Sequence, residues 1–372
     1  GGVAGMEAAR NLAGQGYFTY LVEREGKLGG NAQSLHETWR GEDIQEYLHG
    51  LIQAVEAAEN IEVCSGAEIT EVEGFVGNFK TTIEQGQESR TLEHGVTIMA
   101  TGATEHAPED PALIESSRVM TGLQLQQSFV KGDSQLNGLG TAVFLQCHGS
   151  RIPERPFCSK VCCTQSIKGA LELKKKNPHM RIYVVYRDMR PYGLREDLYR
   201  EARTRGISFV RYNFEKDLKI EPGDEKVEIG FTDTVFRKNV TIQSDLLVLA
   251  SAIVPEKGNP LSRFYKVSQN EDGFFAEAHV KLRPVDFATD GVFVCGLAHS
   301  PKPIDESIAQ AQAAAARAVT LLSAKSLPVS GTVAEVNPLS CSSCGVCVSI
   351  CPYSAPRMDE KTGKAVIEST LC

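Results

Sequence analysis

The chain has 372 residues, 42% of them apolar and 23% charged, enough for two or three domains with sizeable cores. Acidic residues outnumber basic ones by 47 to 39 with no run of like charge, which argues against a basic nucleic-acid surface and against a polybasic membrane anchor. The longest apolar stretches, such as Leu246–Pro255, fall well short of the ~18–20 residues that span a bilayer, and no charged-then-apolar leader opens the sequence, so a soluble, cytoplasmic protein is expected.

Apolar runs alternate with helix-like stretches, the pattern of an α/β protein. Gly5–Gly14 is expected as a helix, Phe18–Glu23 as a buried strand, Glu42–Glu59 as an amphipathic helix, Ile61–Val72 and Gly77–Ile83 as a strand and hairpin, and Val96–Ala100 as a buried strand. A second unit follows. Thr141–Gln146 (strand), Cys163–Lys176 (helix) and Arg181–Tyr186 (strand) make a βαβ unit, continued by a helix over Leu194–Arg205 and a strand over Ser208–Tyr212. Lys226–Phe231 and Val240–Ile242 suggest a hairpin, Asp245–Ala250 and Gly291–Gly296 buried strands, and Asp305–Ser323 an Ala-rich helix. After a linker at Leu327–Val333 comes a small Cys-rich module. The expected division is 1–118 with 249–328 as a discontinuous flavin domain, 119–248 as a Rossmann-like domain, and 333–372 as a ferredoxin-type module.

The first residues, Gly1–Gly2–Val3–Ala4–Gly5, align with the last five positions of G-x-G-x-x-G, where glycine lets the backbone approach a pyrophosphate at a helix N-terminus. Glu23 stands where an acid would bind a ribose hydroxyl. Alone, this is equally a glycine-rich turn and a solvated strand-end Glu. Leu28–Gly29–Gly30, Ala100–Thr101–Gly102, and Thr289–Asp290–Gly291 leading into Val292–Gly296 add weight. The combination resembles two-dinucleotide flavoproteins of the thioredoxin reductase type, which implies FAD. In those proteins Asp follows the last glycine and holds the ribityl chain; here Gly296 is followed by Leu297. The sequence opens inside a glycine motif and stops on a Cys, so it is read as part of a longer polypeptide.

Eleven cysteines without a secretion signal point to metal or redox chemistry. Cys64 and Cys295 sit in apolar strands and are expected as buried small hydrophobes. In the second βαβ unit the phosphate loop is replaced by Q-C-H-G-S-R-I-P-E-R-P-F-C-S-K-V-C-C, carrying Cys147, Cys158, Cys162 and Cys163. Four thiols at a helix N-terminus suit an iron–sulfur cluster, whose negative charge the helix dipole favours. The C-x10-C-x3-C-C spacing also leaves structural zinc, a dithiol/disulfide pair and plain buried thiols open.

Near the end, Cys341, Cys344, Cys347 and Cys351-Pro352 follow the bacterial ferredoxin run C-x2-C-x2-C-x3-C-P, a strong signal for a 4Fe-4S cluster. Cys341, Cys344 and Cys347 are expected on the first cluster and Cys351 on a second, whose own motif would begin at Cys372.

The segments F-L-Q-C-H-G-S-R, R-P-F-C-S-K-V-C-C, R-I-Y-V-V-Y-R-D-M-R-P-Y-G and C-G-L-A-H-S-P-K-P-I-D-E-S-I-A-Q-A-Q-A-A-A resemble the A subunit of heterodisulfide reductase over nearly the whole chain. The resemblance implies FAD, a cluster on the four central cysteines, and flavin-based electron bifurcation. It also implies heterodisulfide reductase subunits B and C as partners, a hydrogenase-type or formate dehydrogenase input module, and ferredoxin. Lys168, otherwise an ordinary solvated helix Lys, becomes a candidate cation at flavin N5. The ferredoxin insertion and the extra cysteine motif of the archaeal form are absent, so the chain is similar to shorter bacterial or fused versions. Two other readings remain: a pyridine-nucleotide-dependent oxidoreductase of the glutamate synthase small subunit type, which needs an intact second glycine loop, and a scaffold with a degenerate flavin site.

Overall fold

The strand Thr141–His148 has seven consecutive buried residues, which only a sheet covered on both faces can accommodate. It lies at the centre of a five-stranded sheet ordered Ser208–Arg211, Arg181–Tyr186, Thr141–His148, Leu246–Ser251, Val119–Thr121, with every pairing parallel. Phe144 on one face packs with Leu125, Ile167 and Leu173 of the helices Gly122–Lys131 and Cys162–Lys176. Val143 and Leu145 on the other face meet Val227, Ile229 and Phe231 of an antiparallel layer formed by Lys219–Pro222, Val227–Asp233 and Lys238–Ser244. The computed structural model describes residues 1–213, 218–327, 333–351 and 355–368.

The flanking unit is built from both ends of this insertion. Thr19–Glu23 pairs in parallel with Ile61–Ser65, and Thr97–Met99 with Val292–Val294. The Ala-rich helix Ile304–Leu322 packs against helix Val3–Gly14 through Ala311, Ala314, Ala315 and Ala318, all fully buried. Small side chains there let the two helix axes approach closely. Asp43 caps helix Ile44–Glu56 by accepting from the Gln45 and Glu46 amides. The two connections between the units run side by side, Thr104–Glu105 antiparallel to Ile253–Val254.

Several elements differ from expectation. The stretch Ile61–Val72 is broken at Gly66, which takes φ +66°, so Ile61–Ser65 joins the parallel sheet while Ala67–Glu73 starts a meander with Phe79–Gln85 and Glu88–His94. Strand Val119–Thr121 and the helix after it, which opens on a Thr121/Gln124 capping box, carry no expected element; the strand is only three residues long. Leu246–Ser251 lies wholly in the central sheet, so the chain crosses back at Ala252 rather than at residue 248. In the Cys-rich segment a short helix, Val346–Ile350, precedes the hairpin Pro356–Met358/Ala365–Ile367.

Gly169 holds helix Cys162–Lys176 close to the sheet: a Cβ there would stand 3.1 Å from Leu125 and 3.3 Å from Phe144. Gly169→Val should therefore overpack this contact at a cost of about 1–3 kcal/mol. A lowered thermal midpoint by circular dichroism is the expected result.

Candidate functional site

The glycine motif and its partners meet at the start of helix Val3–Gly14. The Gly29 amide donates to Gly1 O at 2.8 Å, and Gly2 and Gly29 form a parallel bridge. A Cβ on Gly30 would lie 3.3 Å from Gly2 Cα, and one on Gly5 would lie 3.4 Å from Ala100. The Glu23 carboxylate stands 2.9 Å from the Gly1 amine. Asn31 Nδ2 donates to Ala103 O at 2.9 Å, tying the Gly29–Gly30 turn to the loop that carries Thr101 and Gly102. Gly296 sits at φ +70° with space for a Cβ only 2.8 Å from Ala4. One backbone cradle thus unites Gly1, Gly2, Gly5, Gly29, Gly30, Ala100 and Gly296.

An open cleft lined by Asn31 and Leu297, the chain neighbours of Gly30 and Gly296, reaches the central unit. Leu297 lines it with an apolar side chain where the thioredoxin reductase pattern has Asp. The nearest charge at that turn is Lys302, which sequence reasoning missed although it stands in the segment H-S-P-K. Its ammonium donates to Gly296 O at 2.6 Å and Ser300 O at 2.8 Å, and burial pushes its pKa down to about 8. The opposite wall is the first turns of helix Cys162–Lys176, through Val161, Thr164, Gln165 and Lys168. Thr164 Oγ1 and Ser251 Oγ are buried on this cleft without a hydrogen-bond partner. Polar atoms so placed fit a bound flavin, which would satisfy them.

Lys168 is 13% exposed, with its ammonium 3.0 Å from Glu37 and 3.8 Å from Glu172. His36, Glu37 and Glu172 converge within 4.8 Å of one another, and Lys168 already supplies the cation between the two carboxylates. Glu37 is a second cleft residue that the sequence did not reveal, since it bonds across 131 positions of chain.

The four central cysteines surround the N-terminus of helix Cys162–Lys176. Cys147 ends strand Thr141–His148, Cys158 lies in the connecting loop, and Cys162 and Cys163 open the helix. The helix has no side-chain cap and no acid in its first turn, so its amides and dipole face the sulfurs uncompensated. Burial, then the nearby Cys163, Cys147 and Cys158, push the Cys162 thiol well up, so all four sulfurs share one electrostatic neighbourhood. Cys163 is pushed up to about 11, mainly by burial. Two amides aim at the group: Lys160 N–H at Cys158 Sγ (3.3 Å) and Arg190 N–H at Cys163 Sγ (3.4 Å).

Cys147, Arg151 and Lys160 adopt φ of +62°, +58° and +61°, each a cost of order 1–2 kcal/mol for a residue with a side chain. All four thiols are free, and no three of them gather within 4.8 Å. Three buried thiols, a fourth that is half-buried and a strained loop fit a thiolate-held metal centre.

In the terminal module, amides of Ala365 and Ser343 lower the Cys341 thiol pKa, and the Val346 amide with the Ser342 hydroxyl lowers that of Cys344. Cys347 lies in the helix after them, and Cys351 is close enough to Lys266 of the flavin unit to affect its charge. Cys372 lies outside the described residues. Cys64 and Cys295 are buried in apolar clusters.

A polar clamp bridges the units at the cleft. Arg195, 7% exposed, binds Asp305 at 2.8 Å and stacks over Tyr192 and Trp39, while Lys160 and the Tyr192 hydroxyl both donate to Glu306.

Residues 1–131 match the pyridine nucleotide-disulphide oxidoreductase model and residues 334–357 the 4Fe-4S binding domain model. The second iron-sulfur A subunit of the CoB–CoM heterodisulfide reductase of Methanopyrus kandleri is 30% identical, over 98% of this chain and 70% of that protein. The chain belongs to the family of heterodisulfide reductase A subunits. A protein of Archaeoglobus profundus, itself named as similar to that A subunit, is 29% identical over 96% of this chain and 70% of its own length. The fold is that of the thioredoxin reductases of T. acidophilum (TM-score 0.58, 15% identity, 86% of this chain and 94% of that one) and Lactococcus lactis (TM-score 0.59, 15% identity, 87% and 96%). Like the heterodisulfide reductase family to which it belongs, this chain is an oxidoreductase using FAD and 4Fe-4S clusters. No helix among the described residues is long and apolar enough to cross a membrane.

Two outcomes test the site. Gly296→Ala should drive a methyl into Ala4 at a left-handed backbone and lower the FAD content of the purified protein, read from absorbance. For Glu306, burial acts to raise the pKa, but hydrogen bonds from Lys160 and Tyr192 outweigh it and hold the carboxyl below the ordinary 4.5. A depressed carboxyl stabilises the fold above its unfolded pKa and loses that contribution as pH falls through the folded value. Acid unfolding of Glu306→Gln should accordingly show less loss of stability below about pH 4.5 than the parent chain.

Proposed function

We propose that this chain is the electron-distributing subunit of a heterodisulfide reductase-like complex, with FAD in the cleft and a 4Fe-4S cluster on Cys147, Cys158, Cys162 and Cys163. What carries the reading is the helix Cys162–Lys176: Thr164, Gln165 and Lys168 wall the cleft while Cys162 and Cys163 of its first turn enter the thiol group. When bound, FAD supplies two-electron exchange and the clusters one-electron exchange, the pairing on which flavin-based bifurcation rests.

The chain's own residues do the remaining work. The cradle of Gly1, Gly2, Gly5, Gly29, Gly30 and Gly296 brings backbone close to the pyrophosphate, and Glu23 accepts from a ribose hydroxyl. Leu297 lines the cleft, and Ala100–Thr101–Gly102 would border the bound flavin beside the cradle. Lys168 holds a proton and a positive charge on the cleft wall for flavin N5, oriented by Glu37 and Glu172. Lys302 and the N-terminus of helix Ile304–Leu322 add positive charge at the opposite end. Cys341, Cys344 and Cys347 hold one terminal cluster, and Cys351 joins Cys372 as ligand to a second.

The names of relatives supply the partner chemistry: one is the A subunit of an H(2)/formate:CoB-CoM heterodisulfide,ferredoxin reductase. By that analogy subunits B and C, a hydrogenase-type or formate dehydrogenase module, and ferredoxin are the partners of this chain, in the cytoplasm.

Iron and acid-labile sulfide per flavin in anaerobically purified protein test this assignment. Cys162→Ser should remove about four iron atoms per FAD and leave the terminal cluster in place. Unchanged iron would take the central cluster out of the proposal.

A further inference from the structure

The thiol group has two sides, one toward the cleft and one toward the carboxyl ends of the sheet strands. Asp188 and Arg190 follow strand Arg181–Tyr186, and Arg211 ends the edge strand Ser208–Arg211. Arg151 comes from the cysteine loop itself, its guanidinium 3.9 Å from Cys147 Sγ and 2.6 Å from Asp188. Arg190 and Arg211 reach the same carboxylate at 3.4 and 3.6 Å, and are 51% and 56% exposed. Three guanidinium groups thus surround one carboxylate, and the Arg187 carbonyl accepts from Arg211 Nε at 3.0 Å behind them. This rim contrasts with a chain whose net charge is −8.

In an open α/β sheet this edge is where a nucleotide phosphate would bind. Here the loop turns carbonyls toward the arginines, since Arg187 donates to Ser150 O at 2.7 Å and Arg151 O at 2.9 Å. A phosphate needs amides in that place. The rim is also in contact with the thiol group, the Arg190 amide being 3.4 Å from Cys163 Sγ.

We propose that this arginine rim is the docking surface for an acidic one-electron carrier protein, which exchanges electrons with the centre held by Cys147, Cys158, Cys162 and Cys163. The inference rests on the central-cluster reading above. In each encounter one electron passes from the reduced carrier to the oxidised centre; no bond forms or breaks and no proton moves. Charge-complementary encounter of this kind raises association rates by about 10- to 10³-fold, and salt abolishes the gain.

The test follows reduction of the full anaerobic chain by a dithionite-reduced acidic bacterial ferredoxin in stopped flow, at low and high salt. Arg211→Gln and Arg211→Glu should slow the second-order step at low salt, the charge reversal by about tenfold, and flatten its salt dependence. Iron per flavin should be unchanged, and reduction by methyl viologen radical cation no slower. An unchanged ferredoxin rate in iron-replete variants overturns the proposal, as does an equal loss with methyl viologen. Binding of 2′,5′-ADP to the parent that the variants lose would instead assign the rim to a nucleotide and also overturn it. A parent chain without central iron would refute the cluster reading itself, which separates the two failures.

Discussion

Bringing four thiols together in a buried space is unfavourable unless something takes up their charge. Each thiolate raises the cost of ionising the next, and burial adds to it, which is why Cys162 and Cys163 stand so far above an ordinary thiol. The surroundings lower this cost without removing it: an uncapped helix N-terminus, two amides and the Arg151 guanidinium all face the sulfurs. The loop meanwhile accepts three left-handed residues with side chains. A chain tolerates that combination of strain and unfavourable titration where a metal centre compensates for both.

The same helix couples this group to the cleft. Its first turn supplies two of the thiols, and Lys168 on the wall of the cleft lies only five residues beyond Cys163. Gly169 keeps the helix tight on Phe144, so the thiols, the cleft wall and the sheet core are set by one packing contact. The arginine rim lies beyond the thiols, giving an order of cleft, sulfurs and basic surface across a single βαβ unit.

Much of this was readable from local sequence. The cradle glycines, the two cysteine groups and the long apolar strands Thr141–His148, Arg181–Tyr186 and Leu246–Ser251 are each encoded within a few consecutive residues, and the structure places the glycines in one cradle and the central thiols in one neighbourhood. Three-residue strands such as Val119–Thr121 are too short for periodicity to reveal, and the break at Gly66 hid the change from parallel to antiparallel pairing. The pairings Lys168–Glu37 and Arg195–Asp305 span 131 and 110 positions. Their partners look like ordinary surface charges until the fold brings them together. Lys302 escaped for a different reason: a lysine beside proline resembles a solvated turn, and only its burial against two carbonyls sets it apart.

The bridge from Arg195 to Asp305, with Glu306 held by Lys160 and Tyr192, bears on how the molecule moves. These side chains border the cleft and join units whose two connections run side by side as a short strand pair. These ion pairs tie one wall of the cleft to the other. Raised ionic strength, by screening these partly exposed pairs, weakens the hold between the two walls.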